Sequence, residues 1–162
     1  MKPKIFISRP IPDTVVNRLA EVCEVDMWPT SQTLPPIGEK IFNLDGLMTY
    51  GHEPVTAYMM DSAPNLKVIT AVGVGYDHID ALEAKKRQIS VGNTPDVLSD
   101  TTADMTFALL LSAARNIVRG NTFVQNEEWS YYDPNILWGQ EVHHATIGIV
   151  GMGRIGYSVA KR

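Results

Sequence analysis

The stretch Gly151-Met152-Gly153-Arg154-Ile155-Gly156 decides the fold of this 162-residue chain, and it directly follows the apolar run 145–150 (ATIGIV). This order predicts a strand followed by a glycine turn and then a helix. A G-x-G-x-x-G pattern indicates nucleotide binding when it lies between a strand and a helix in this way. Gly151 would permit the tight turn, Gly153 would let the backbone approach a pyrophosphate, and Gly156 would let the helix pack on the strand. The N–H groups at the helix start would face the anion. The pattern therefore predicts a dinucleotide site.

The first hundred residues alternate short β-like runs with helical patterns. We predict strands at 4–8, 25–28, 46–50, 66–72 and 89–91, and helices that begin at 12 and cover 37–43, 55–61 and 79–86. A turn-rich stretch, 29–36, follows the second strand. Strands separated by helices at this spacing are typical of a parallel sheet covered on both faces. The predicted fold class is therefore α/β.

A different kind of element follows the sequence Asn93-Thr94-Pro95. Asp100 is predicted to be the N-cap of one long helix from 101 to about 125. The middle of this helix, 105–114, is apolar on nearly every face, which is typical of a helix buried all round where two domains meet. We expect the aromatic-rich residues 126–144 to form an irregular arm that packs on its own domain or on a second subunit.

The composition indicates a globular protein, with 44% hydrophobic and 20% charged residues. A net charge of −4 without a dense Lys/Arg stripe argues against nucleic acid as a partner. The basic triplet Lys85-Lys86-Arg87 ends a predicted helix, where cations complement the dipole, so a solvated face is favoured over a binding patch. The most apolar window, 105–114, is about half the length that spans a bilayer. With no signal-peptide pattern at the N-terminus, we expect a cytosolic protein with no membrane partner.

The reactive side chains indicate neither a metal site nor a hydrolytic centre. The four histidines, at 52, 78, 143 and 144, lack metal-ligand spacing with one another, with cysteine or with carboxylates. The single cysteine, Cys23, is predicted to be a buried and inert thiol. No Ser/His/Asp or Cys/His arrangement stands out. The sequence therefore assigns no metal ligand and no catalytic residue.

A second glycine turn, Gly73-Val74-Gly75, follows the fourth predicted strand. His78 stands where the pyrophosphate pattern needs its third glycine, and Asp77 and Asp80 would repel a diphosphate. Successive N–H groups in such a turn can form a nest for a carboxylate, but a plain tight turn uses the same glycines, and both interpretations stay open. Thr101 similarly fits either a ligand contact or helix capping.

An ordered set of five motifs carries a resemblance that covers essentially the whole chain. The motifs are NLKVI at 65–69, VGYDHID at 74–80, VGNTP at 91–95, TTAD at 101–104 and IGIVGMGRIG at 147–156. In this order and spacing the chain resembles the D-isomer-specific 2-hydroxyacid dehydrogenases. Residues 94–103 (TPDVLSDTTA) are most similar to the glyoxylate/hydroxypyruvate reductase branch.

The resemblance implies a two-domain organisation and a set of binding residues. Residues 1–99 would be the N-terminal part of a flavodoxin-like substrate domain, and 100–162 the beginning of a Rossmann domain for NAD or NADP. Val74 and Gly75 would offer N–H groups to the carboxylate of a 2-keto or 2-hydroxy acid. The implied cofactor-binding residues are Thr101, which would lie near the nicotinamide, and Gly151, Gly153, Arg154, Ile155 and Gly156. Residues 100–144 would join a homodimer interface.

The family's catalytic arginine, glutamate and histidine come later in its sequences than the part resembled here. The resemblance therefore implies the N-terminal part of an oxidoreductase that reduces glyoxylate or hydroxypyruvate to a D-2-hydroxy acid, and we expect residues 1–162 alone to be inactive. The position that reads the cofactor ribose lies about 20 residues past the glycine motif, so NAD and NADP are not distinguished. Two alternatives remain: a non-catalytic, dinucleotide-sensing protein similar to the corepressors on this scaffold, and a truncated product that pairs with intact subunits.

Overall fold

The computed structural model describes residues 1–30 and 32–162, which form two compact units, Met1–Pro95 and Asp96–Arg162. The first unit contains a parallel sheet with helices, and the described elements of the second unit are helices. The predicted turn-rich stretch 29–36 includes Ser31, which lies outside the described residues.

Five parallel strands form the sheet of the first unit in the order β2-β1-β3-β4-β5. Their bounds are β1 (Lys4–Ile7), β2 (Glu24–Met27), β3 (Gly46–Thr49), β4 (Val68–Ala71) and β5 (Ser90–Gly92). Phe6 is in register with Leu47, and Leu47 with Ile69, so buried side chains line up across the central strands. The predicted parallel α/β architecture is confirmed.

The helices of the first unit lie between successive strands, as parallel connections require. They are α1 (Asp13–Ala20), α2 (Ile37–Lys40) with a following 3₁₀ turn (Ile41–Asn43), α3 (Ala57–Asp61) and α4 (Ala81–Lys86). The core joins the central strands to α2, α3 and α4 through Phe6, Ile37, Ile41, Leu47, Val55, Met60, Ile69, Ile79 and Ala84. This core fixes the strand ends from which the loops of the candidate site project.

Two of these helices begin later than the sequence pattern predicts, because the residues before them cap the helix. The Thr56 hydroxyl accepts a hydrogen bond from the N–H of Met59 at the start of α3. At the start of α4, Asp80 Oδ1 accepts one from the Glu83 N–H at 3.0 Å. Val55 and Ile79, predicted as helical, form a parallel bridge instead.

The second unit contains α5 (Ser99–Ala114), α6 (Ile117–Gln125) and α7 (Arg154–Lys161). The prediction of one helix from 101 to 125 is wrong, because Asn116 adopts a left-handed conformation with φ of 55° and separates α5 from α6. Asparagine tolerates this conformation better than most residues do. Asp100 is not the N-cap either, since Leu98 occupies that position and Asp100 lies in the first turn.

The expectation that α5 is buried on all sides is also wrong within this unit. α5 packs against α6 and α7, and two neighbours cannot cover every face of a helix. Ala103 is its buried residue, whereas Met105, Leu109 and Leu111 are exposed, Leu109 by 64%. α5 therefore exposes several large apolar side chains.

The aromatic arm, residues 126–144, is irregular as predicted and folds back on the α5–α6 junction. Asn116 Nδ2 donates to the carbonyl of Trp138 at 2.8 Å, and the Gln140 N–H donates to that of Ala114 at 2.7 Å. The following run, 145–150, does not form the predicted strand. A strand requires a paired neighbour, and none of the described residues pairs with this run.

Candidate functional site

The turn after β4 presents open hydrogen-bond donors at the carboxyl edge of the sheet. Gly73 has a φ of +147°, which a residue with a side chain rarely adopts. The Gly73 carbonyl accepts a hydrogen bond from the Thr94 N–H at 2.9 Å. The Val74 carbonyl accepts one from Asn93 Nδ2 at 2.8 Å. Within the described part of the chain, the N–H groups of Val74 and Gly75 donate to no acceptor. The carbonyls of Gly73 and Val74 are thus engaged, and the N–H groups of Val74 and Gly75 stay available for an anion.

Two side chains beyond the turn affect how it would receive an anion. His78 Nε2 lies 2.9 Å from the buried hydroxyl of Thr49, which ties the far side of the turn to the end of β3. An Asp77 carboxylate oxygen lies 3.5 Å from the position that a Cβ on Gly75 would occupy. Asp80 is engaged as the cap of α4. Asp77 is therefore the acidic side chain beside the open donors.

A buried carboxylate, Glu53, ties the neighbouring loops of this edge together. It is only 3% exposed and accepts hydrogen bonds from Ser8 Oγ at 3.1 Å and from the Tyr50 N–H at 2.9 Å. Arg9 pairs with it through Nε at 2.9 Å and a terminal nitrogen at 2.8 Å. Arg9 also donates to the carbonyl of Thr33 at 3.4 Å. Burial and the charge of Glu53 raise the pKa of Tyr50.

Sequence analysis missed this network. Arg9 and Glu53 are 44 residues apart, and no spacing rule connects them. The available signal was their position, because each follows a predicted strand of a parallel sheet. Loops after such strands meet at one edge.

The glycine motif of the second unit forms the predicted turn and helix. Gly151 has a φ of +96°, and α7 begins at Arg154 directly after Gly153. A Cβ on Gly156 would overlap the carbonyl oxygen of Gly151 and lie 3.5 Å from Ile149 Cγ2, so only glycine allows this close packing. A Cβ on Gly153 would meet nothing within 4 Å. The space beside Gly153 is therefore open.

The first turn of α7 suits a phosphate group. Gly153 supplies no side-chain cap, and among the described residues the N–H groups of Arg154 and Ile155 have no acceptor. Unpaired N–H groups and the positive end of the helix dipole attract an anion. The residues present thus fit the pyrophosphate of a dinucleotide.

Both arginines of the α7 region are paired with carboxylates. Arg154 Nε lies 2.9 Å from Asp96 Oδ1, and both side chains are largely exposed. At the other end, Arg162 contacts Asp104 at 2.6 Å and Asp100 at 3.5 Å. The hydrogen bond to Asp104 raises the pKa of Arg162.

The predicted site residues fall in both units. Val74 and Gly75 lie in the first, and Thr101 and the glycine motif lie in the second. Thr101 is exposed, and its hydroxyl donates to the carbonyl of Leu98 at 3.0 Å inside the first turn of α5. Its expected position near the nicotinamide stays a prediction.

Metal-binding side chains of the described residues are spread over the two units. In residues 1–30 and 32–162, no group of three or more His, Cys, Asp or Glu side chains is arranged to hold a metal ion. Cys23 is half-buried rather than fully buried. None of the helices in the described ranges has the length and apolarity needed to cross a bilayer.

Comparison with known proteins identifies a family over most of the chain. Residues 5–156 match the model of the D-isomer specific 2-hydroxyacid dehydrogenase catalytic domain. A glyoxylate reductase from Pyrococcus furiosus is 44% identical over 168 residues, covering 100% of this chain and 50% of that protein. The chain thus spans about half the length of the curated relatives it matches.

Solved structures agree with this match. The TT0316 protein from Thermus thermophilus has a TM-score of 0.91 and 37% identity, covering 98% of this chain and 51% of that one. An NADPH-dependent glyoxylate/hydroxypyruvate reductase from Sinorhizobium meliloti, solved with NADP and malonate, has a TM-score of 0.77 and is 27% identical. The match covers 99% of this chain and 50% of that one. The cofactor in that neighbour, NADP, belongs to the class that the glycine motif of this chain predicts.

Proposed function

Because the chain belongs to the D-isomer specific 2-hydroxyacid dehydrogenase family, we propose that it is the N-terminal part of an oxidoreductase that reduces 2-keto acids, glyoxylate or hydroxypyruvate, to D-2-hydroxy acids. The observation that carries the proposal is the glycine motif. A left-handed Gly151 leads into a helix whose first N–H groups have no acceptor in the described part of the chain. This arrangement binds the pyrophosphate of a dinucleotide in other proteins.

Gly151, Gly153, Arg154, Ile155 and Gly156 would hold NAD or NADP. The glycines keep the backbone accessible, the N–H groups of Arg154 and Ile155 donate to phosphate oxygens, and the Arg154 guanidinium adds positive charge. Thr101 would lie near the nicotinamide. When bound, the nicotinamide supplies or accepts the hydride.

Val74 and Gly75 would bind the carboxylate of the substrate. Their N–H groups are the open donors of the Gly73 turn, and two such donors suit a carboxylate better than the larger diphosphate. Asp77 beside Gly75 favours a substrate with a single negative charge on this side, since a second acidic group would meet repulsion. The Glu53 network keeps the adjoining loops in place.

Residues 100–144 would form a homodimer interface. α5, α6 and the aromatic arm expose Met105, Leu109, Val118, Trp129, Tyr132 and Trp138. Many exposed large apolar side chains in one unit indicate an association site. A cytosolic location stays a prediction.

Nucleotide binding and turnover by the purified full-length protein test the proposal. We expect it to bind NADH or NADPH and to oxidise one of them with glyoxylate or hydroxypyruvate, whereas residues 1–162 alone should give no turnover. The variant Gly153→Ala should fold normally, since its Cβ enters open space, and should lose nucleotide binding because that space is the approach of the pyrophosphate. Gly148→Ala, which also enters open space, is the matched control. Unchanged binding by Gly153→Ala would contradict the assignment.

A surface groove favours the alternative of a partner-binding, dinucleotide-sensing protein. The groove, about 370 Å³ in volume, lies in the first unit and is lined by Leu34, Pro35, Pro36, Ile37, His52 and Met59. Its apolar lining suits a short peptide. Nucleotide binding without turnover of any 2-keto acid by the purified full-length protein would support this alternative.

A further inference from the structure

We propose that Asp96 is a displaceable counter-ion for Arg154, which holds the guanidinium while no nucleotide is bound and releases it to the cofactor pyrophosphate. The inference rests on the proposed function, because it assumes that Arg154 contacts a dinucleotide. By this inference Asp96, which lies outside the glycine motif, lowers the affinity of the site for the dinucleotide.

The geometry places one carboxylate on the arginine of the motif. Arg154 Nε and Asp96 Oδ1 are 2.9 Å apart. The other two aspartates that pair with an arginine of this region, Asp100 and Asp104, contact Arg162 at the far end of α7. Among the described ion pairs, Asp96 is thus the carboxylate that competes for the same guanidinium as an incoming phosphate.

The pair is exposed enough to exchange. The Arg154 and Asp96 side chains are 64% and 66% exposed, so water screens their attraction and the pair is weak. A pyrophosphate carries more charge and more acceptor oxygens than a carboxylate, and guanidinium binds phosphate with two parallel hydrogen bonds. Nucleotide should therefore displace Asp96.

The backbone at Asp96 makes asparagine a suitable replacement. Asp96 has a φ of +69°, in the left-handed region that aspartate and asparagine tolerate better than other residues with side chains. Asp96→Asn removes the charge and keeps the shape and the backbone preference. Equal melting temperatures of variant and wild type will confirm that the fold is kept.

The test measures Kd for NADH and NADPH by calorimetry on the purified full-length wild-type protein and on variants. Asp96→Asn should bind about two- to fivefold more tightly, the factor by which a weak exposed pair reduces the population of free Arg154. Asp100→Asn is the matched control, because it removes the same charge from the same unit but from the partner of Arg162. It should leave Kd unchanged.

A second comparison isolates the role of Arg154. In the Arg154→Ala background, adding Asp96→Asn should give no further gain in affinity. An equal gain there, or an equal gain from Asp100→Asn, would overturn the inference, since the effect would be general charge repulsion. Weaker or unchanged binding by Asp96→Asn would also overturn it. If wild type binds neither nucleotide, the proposed function fails and the inference fails with it.

Discussion

At position 53 a carboxylate is buried where three loops of the sheet edge meet. Glu53 receives hydrogen bonds from Ser8, Arg9 and the Tyr50 backbone. Burying a charge costs free energy unless it is paired and hydrogen-bonded, and here it is both. The residue thus ties the loop after β3 to the loop after β1, and Arg9 extends the network to the carbonyl of Thr33 after β2.

We expect Glu53→Ala to lower the free energy of unfolding by about 3 kcal/mol, because it removes one partner of a buried ion pair. Glu53→Gln keeps an acceptor for Ser8 and Tyr50 and should cost less, about 1.5 kcal/mol. Urea unfolding measures both. Glu21→Gln, at an exposed position, is the control and should be neutral. A neutral Glu53→Ala would show that the network adds no stability.

Glu83 makes stability depend on acid pH. Hydrogen bonds from Lys86 and Arg87 lower its pKa in the folded protein. A carboxyl with a lowered folded pKa contributes stability above its unfolded pKa and loses it as pH falls through the folded value. We therefore expect the melting temperature to fall as pH decreases below about 4.5. Glu83→Gln should reduce this pH dependence, and an identical pH profile for the variant would contradict the assignment.

Among the elements, the junction of α5 and α6 shows why one helical pattern gives two helices. The residues on both sides of Asn116 are compatible with helix, and the chain turns there because the Asn116 side chain bonds the carbonyls of Leu137 and Trp138. Those partners belong to the aromatic arm. The break therefore joins the arm to the helices.

Two substitutions of Asn116 separate the contribution of its side-chain hydrogen bonds to stability from that of its left-handed backbone. Asn116→Gly keeps the left-handed backbone and loses the side-chain hydrogen bonds, which should cost about 1 kcal/mol of unfolding free energy. Asn116→Ala loses the bonds and also strains the backbone, adding about 1 kcal/mol. Thermal unfolding followed by tryptophan fluorescence of the arm measures both. If Asn116→Ala lowers the free energy of unfolding no more than Asn116→Gly does, alanine at this position causes no backbone strain.

The elements that sequence analysis predicts correctly depend on neighbours close in the chain. The five strands with their intervening helices and the helix that begins at Arg154 follow from local spacing and from glycine at the turn. The break at Asn116 and the Arg9–Glu53 pair depend on partners 21 or more residues away. The run 145–150 has the composition of a strand, but strand formation also needs a neighbouring strand. These features could not be predicted from local pattern.

For the molecule as a whole, the exposed apolar surface of α5, α6 and the arm predicts self-association. We expect the purified protein to be a dimer by light scattering. Leu109→Lys, on the exposed face of α5, should shift it toward monomer by burying an unpaired charge at the interface. Leu82→Lys changes a similarly exposed leucine on α4 and should leave the dimer intact. A dimer unaffected by Leu109→Lys would place the interface elsewhere.

The hydrogen bonds of the Gly73 turn also have a mechanical consequence. Thr94 and Asn93 bond to the carbonyls of Gly73 and Val74, immediately before the first unit ends at Pro95. Tension along the backbone at Pro95 is carried first by these two bonds. A load at that point therefore acts on the turn before it acts on β5.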